Sequence, residues 1–145
     1  MKTTLDEVKA YVEEITPRLE AGGLPVTDWA WVGSTYINGD GADIDIIVLT
    51  IGADIHSKSW SDFNLVCGGS EPQGSDDLWV STKDAIGHNI IFITSPEYFD
   101  KWRIAAEVCK AVQRMCYEHG GPVEWELDKG RRVHIHNIIM DGVPA

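Results

Sequence analysis

Two acids one residue apart, Asp43 and Asp45, follow a Gly33-Ser34 pair after a spacer of eight residues. A Gly-Ser bend at the end of an apolar run offers backbone amides and a hydroxyl that can cradle a phosphate. Neighbouring carboxylates repel one another unless a cation lies between them, so Asp43 and Asp45 read as ligands of a divalent metal. For these groups to meet, residues Trp29 to Val32 must form a strand that delivers the bend, and residues Asp43 to Thr50 a second strand. Side chains alternate along a strand, which puts Asp43 and Asp45 on one face and turns Ile44 and Ile46 into a core. The spacer holds Asn38-Gly39-Asp40-Gly41, which is turn chemistry, and is expected to be a short polar loop.

Each piece also has a plain structural reading. Asp-Ile-Asp-Ile suits an amphipathic strand with a solvated acidic face, and Gly-Ser is a common turn. In combination, residues 29 to 49 resemble the signature of the nucleotidyltransferase superfamily: apolar-Gly-[Gly/Ser], a spacer of about ten residues, then Asp-apolar-[Asp/Glu]-apolar. The resemblance implies that Gly33 and Ser34 hold the phosphates of a nucleoside triphosphate. It also implies that Asp43 and Asp45 are the catalytic acids, binding Mg2+ (or Mn2+) that bridges the triphosphate. Active members carry a third carboxylate on a following strand. In Leu78-Trp79-Val80-Ser81-Thr82-Lys83 the position most like it is Ser81, whose neutral hydroxyl neither offsets metal charge nor acts as a base near neutral pH. Asp76, Asp77 and Asp84 lie at the ends of this strand and substitute only if its register is shifted by several residues. Where the family often places arginines after the bend, this chain has Thr35-Tyr36-Ile37. Among the later cations, Lys83 is assigned to the nucleotide because alternation puts it on the face of Ser81. Lys101, Arg103, Lys129, Arg131 and Arg132 read as solvated surface charges.

The remaining elements follow from periodicity. Thr4-x-x-Glu7 is a capping box opening a helix with Leu5, Val8, Val12, Ile15 and Leu19 on one face; Pro17 should kink or shorten it, and Ala21-Gly22-Gly23 ends it. A short helix is expected within Trp60 to Val66 and an exposed loop over Gly68 to Ser75. Leu78 to Lys83 and Asn89 to Thr94 read as strands of a hairpin, the second central because it is continuously apolar. Ser95-Pro96-Glu97 opens a helix whose face carries Tyr98, Trp102, Ala105, Cys109, Val112 and Cys116, with a stop at Gly120-Gly121. The segment Asp128 to Met140 suits strand or helix, and we take it as a helix. The expected fold is α+β: one nucleotidyltransferase-like domain over residues 1–145, with a small mixed or antiparallel sheet of about four to five strands flanked by helices. Its element order is similar to the polymerase beta palm. The stretch from Asn89 to Asp141 is also similar in tone to small nucleotidyltransferase-like proteins of tailed phages, a likeness that supplies no activity.

Formal charge is −11, with fourteen acids and four bases in residues 1–80 against nine and eight in 81–145. Duplex nucleic acid is a poor partner for such a surface, which leaves a nucleoside triphosphate with a small-molecule or protein acceptor. Cys67, Cys109 and Cys116 form no Cys-x-x-Cys pair, and His134-x-His136 has no third ligand nearby in sequence, so neither a disulfide framework nor a zinc site is expected. No apolar run reaches membrane length and no signal core opens the chain, from which a cytoplasmic location without a membrane partner is expected. Two functions remain in view. One is metal-dependent nucleotidyl transfer to a hydroxyl; the other is a catalytically degenerate version acting as a nucleotide sensor or as an inhibitory, partner-binding protein. A chance coincidence in an unrelated α/β binding module is the third alternative. Its sharpest form, a calcium loop over 38–43, lacks the closing glutamate of an EF-hand.

Overall fold

The computed structural model describes residues 3–39, 43–67, 78–118 and 129–141. Helix α1, Leu5–Ala21, begins at Thr4, whose hydroxyl oxygen accepts the Glu7 N–H at 3.3 Å. The chain then runs through strand β1 (Asp28–Val32), helix α2 (Gly33–Asn38) and strand β2 (Asp45–Leu49). A 3-10 turn at Trp60–Phe63, strand β3 (Val66–Cys67) and the hairpin of β4 (Trp79–Lys83) and β5 (Asn89–Ile93) follow. Helices α3 (Pro96–Glu118) and α4 (Lys129–Asp141) complete an α+β arrangement of one mixed sheet and four flanking helices.

The sheet order is β1-β2-β5-β4-β3, with β2 and β5 parallel and the other pairs antiparallel. Alternation gives the sheet two different faces. On one, Ile44, Ile46, Val48, Ile90 and Phe92 meet the apolar stripe of α1, with Trp60 stacked on Phe92 at 4.9 Å between ring centroids. On the other, Val32, Ile47, Leu49 and Ile93 pack under Phe99 and Ala106 of α3. With apolar contacts on both faces, β2 and β5 are the best-covered strands, as the unbroken run Ile90 to Ile93 demands.

Three expectations change. The segment after Gly33 is a six-residue helix and not a polar loop; Thr35 is buried beneath it, and Gly39 ends it at φ 73°. Pro17 lies inside α1, which nonetheless runs on to Ala21. The ring removes one donor near the helix end, and Glu13, four residues earlier, is exposed, so water can satisfy the carbonyl left over. Trp60–Phe63 is a single 3-10 turn, and β3 begins at Val66, inside the span expected to be one helix. The helical reading of the last segment holds from Lys129. The loop expected at 68–75, the stop at Gly120-Gly121 and the acids Asp40, Asp76, Asp77 and Asp128 lie outside the described residues. Among those described, no helix is long and apolar enough to cross a membrane.

Candidate functional site

The β1–β2 register sets Val32 opposite Asp45, so the chain leaves β1 directly beside that acid. Gly33, the next residue, has φ 83°, which L side chains rarely adopt. A Cβ placed there would lie 2.2 Å from Asp45 Oδ2 and 2.8 Å from Asp45 Cβ and Cγ. The carboxylate therefore rests on the bare Cα of Gly33, and only glycine permits that contact.

Across the sheet the same row continues from Asp45 to Asn89 on β5 and from Asn89 to Lys83 on β4. Asn89 Nδ2 donates to Asp45 Oδ1 at 2.5 Å. Asp43 precedes β2 and is held through its backbone: the buried Thr35 hydroxyl donates to the Asp43 carbonyl, and the neighbouring Ile44 N–H donates to His88 Nδ1 at 2.9 Å. Its carboxylate faces the β4–β5 turn, where Asp43 Oδ1 would lie 3.5 Å from a Cβ built on Gly87. Burial raises the pKa of Asp45, and the Asp43 charge adds to the rise; the Asn89 hydrogen bond and the Lys83 charge oppose it.

Gly33, Ser34, Asp43 and Asp45 all line one cavity of about 500 Å³ together with Asn89. Its far wall is α4, which contributes Lys129, Arg132, Val133 and His136, and its floor is Ile91, Trp102, Ala105, Ala106 and Cys109. Helix α4 has no fully buried residue and packs along α3. His136 meets the Trp102 ring edge-on at 4.9 Å, and Cys109 Sγ lies 3.7 Å from the Arg132 carbonyl. Burial lowers the His136 pKa, which favours the neutral ring, and raises that of the Cys109 thiol. The cavity is thus acidic on the sheet side, basic on the α4 side and apolar between. A second cavity of about 490 Å³, between α1 and the β4–β5 turn, has neither a glycine cradle nor a cationic wall of this kind. Chemistry rather than size distinguishes the first.

The structure places several residues singled out in the sequence differently from the expectation. Ser81 does not adjoin the acids, because β5 lies between β4 and β2, and Ser81 sits two rows further along beside Ile91. The residue alongside Asp45 is Asn89. Asp84 is turned toward α1, accepting the Tyr11 hydroxyl at 2.6 Å and the N–H groups of Ile86, Gly87 and His88, so it supplies no third carboxylate. Lys83 is in the row of Asp45 but does not line the cavity; its charge reaches Asp45 only from beyond Asn89. Lys129 and Arg132, read as surface charges, do line it. Tyr36 is a packing residue: its hydroxyl donates to Glu107, its ring meets Trp31, and Lys110 Nζ lies 3.9 Å from the ring centroid. His136 points into the cavity while His134 is exposed, as two positions apart on a helix require. Among the described residues no group of three or more His, Cys, Asp or Glu is arranged to hold a metal.

No protein-family profile matches the chain, and comparison with curated protein sequences finds no match. Among solved structures the chain is similar to the conserved protein GrpB from Enterococcus faecalis, at a TM-score of 0.52 and 10% identity, over 97% of this chain and 96% of that one. At that identity the likeness is one of fold alone.

Proposed function

We propose that the cavity binds a nucleoside triphosphate with Mg2+ (or Mn2+) on a nucleotidyltransferase-like fold. The reaction it serves is transfer of the nucleotidyl group to a hydroxyl of a small molecule or protein. The observation that carries this reading is the packing of Asp45 on the bare Cα of Gly33, with Asp43 and Ser34 opening into the same cavity. The donor set fits the metal. Mg2+ is a hard cation that accepts one or two carboxylates from a protein and takes its remaining oxygens from water and substrate phosphates. Asp43 and Asp45 would hold it, and when bound it would supply positive charge at the phosphoryl oxygens.

The chain's own residues position the rest. Ser34 lies at the start of α2 beside the acids, where its hydroxyl and backbone can meet phosphate oxygens. Lys129 and Arg132 bring cationic charge to the opposite wall, and the volume suits one nucleotide, within the roughly 300–1,000 Å³ range of ligand pockets. Transfer would form a bond from the acceptor oxygen to the α-phosphorus and break the α–β bridge. Pyrophosphate would leave and the hydroxyl proton would pass to solvent. A second reading, binding without turnover as a sensor or inhibitory protein, is favoured by one observation: the side chain next to Asp45 on the adjoining strand is the amide of Asn89. Calorimetry with a non-hydrolysable ATP analogue and Mn2+ tests the binding. Asp43→Ala should abolish the metal-dependent heat with an unchanged fold, and unchanged binding rejects the site. Labelled nucleotide appearing on an acceptor selects the first reading over the second.

A further inference from the structure

We infer that the outer face of α3 is a self-association surface, on which a second copy of this chain packs its own α3 antiparallel across a two-fold axis. The inference is independent of the nucleotide reading. Ile104, Val108, Ala111 and Met115 are all exposed and follow one another at spacings of four, three and four residues. That is the seam spacing of a coiled coil, and it lies on the side of α3 turned away from the sheet, opposite the buried Ala106 and Gln113. The sides of the helix are already occupied. Tyr36 of α2 meets Glu107 and Lys110 on one, and α4 meets Trp102 and Cys109 on the other. The row between them stays open to solvent.

An apolar seam alone fits many helices; the charges beside this one select a copy of itself. Residues 96–118 carry four acids and four bases in a chain of net charge −11, so two copies can meet along this helix without the repulsion that the whole chain carries. A two-fold axis midway between Cys109 and Lys110 sets Ile104 against Met115 of the second copy and Val108 against its Ala111. Glu107 and Arg114 flank the seam on the same side, seven residues apart. The axis brings Glu107 of each copy within a turn of Arg114 of the other, and two opposite-charge contacts form by symmetry. Glu107 binds the Tyr36 hydroxyl through Oε1, so the second pairing falls to Oε2. A parallel pairing would bring Glu107 beside Val112 of the other helix and form neither contact. The seam spans about three turns, so the interface is small and the dimer reversible, with a dissociation constant on the order of 10 µM.

The test is sedimentation equilibrium of the full chain. Over roughly 1–500 µM the wild type should pass from monomer to dimer with no larger species, since a two-fold contact closes on itself. Val108→Glu, in the middle of the seam, should weaken the dimer by about tenfold or more. Glu107→Arg and Arg114→Glu should each do the same, because each sets like charges together twice. An equal mixture of those two variants restores both opposite-charge contacts and should recover a dimer within about threefold of wild type. Wild type that stays monomeric at about 500 µM overturns the inference and leaves the face for a different protein. A dimer that Val108→Glu leaves intact overturns it as well, and so does a mixture no more dimeric than its two components. The mixing arm keeps the test decisive if Val108→Glu fails to fold.

Discussion

Replacing Gly33 by alanine puts the central contact under direct stress. Two costs can be separated. The backbone at φ 83° penalises any L residue by about 1–2 kcal/mol. The added methyl, 2.2 Å from Asp45 Oδ2, must push the carboxylate away and strain its hydrogen bond to Asn89, at about 1–3 kcal/mol more. The sum, about 2–5 kcal/mol, corresponds to a melting temperature lower by roughly 6–15 °C for a domain of this size. Gly39 provides the control. Its φ is 73° and nothing lies within 4 Å of a Cβ built there, so Gly39→Ala bears the backbone cost alone. Thermal unfolding followed by circular dichroism should rank wild type, Gly39→Ala and Gly33→Ala in falling order. Calorimetry with Mn2+ and the ATP analogue should show binding lost only at Gly33. If the two alanine variants melt together and bind alike, Asp45 does not rest on Gly33 and the cradle argument is wrong.

Other consequences are testable with ordinary variants. Lys129→Ala and Arg132→Ala should each weaken binding of the Mn2+–analogue complex by about tenfold, in line with about 1.5 kcal/mol for a charge-assisted contact, with melting temperatures close to wild type. Lys83→Ala, whose side chain lies outside the cavity, should weaken it less; equal losses at Lys83 would put the phosphates on the wrong wall. The Tyr11–Asp84 contact predicts an acid-sensitive element on the α1 side of the β4–β5 turn. Burial alone raises the Asp84 carboxyl, but the Tyr11 hydroxyl and the N–H groups of the β4–β5 turn donate to it and hold it below its ordinary value. A carboxyl held low stabilises the fold above about pH 4 and loses that contribution as pH falls through its folded value. Tyr11→Phe should therefore cost about 1–2 kcal/mol at pH 7 and less at pH 3, measured by urea unfolding. A cost that does not shrink on acidification argues against an ionised Asp84 as the partner.

Local patterns made the sheet and the acid pair readable. Ile44 and Ile46 alternating with Asp43 and Asp45 declare a strand with one buried face, and Ser95-Pro96-Glu97 fixes the start of α3 through the Ser95 hydroxyl, which accepts the Tyr98 N–H. What escaped was set by long-range pairing. The unbroken apolar run makes β5 central but does not name the strand it pairs with, and its pairing with β2 moves the neighbour of Asp45 from Ser81 to Asn89. Helix α2 has six residues, too few to declare themselves by periodicity, and is secured by the Thr35 bond to Asp43 and by packing near α3. Lys129 and Arg132 look like any surface cations until Trp102 and Cys109 dock α4 over the cavity. Asn89 had one available signal: a lone amide opening an otherwise unbroken apolar strand.

The most direct test is the anomalous scattering of manganese in crystals soaked with Mn2+ and the non-hydrolysable ATP analogue. The account predicts a peak about 2.1 Å from oxygens of both Asp43 and Asp45, with phosphate density running from Ser34 toward Lys129 and Arg132. A fully occupied nucleotide elsewhere, for instance in the groove beside Tyr11 and Asp84, with no manganese at the two aspartates, would contradict it.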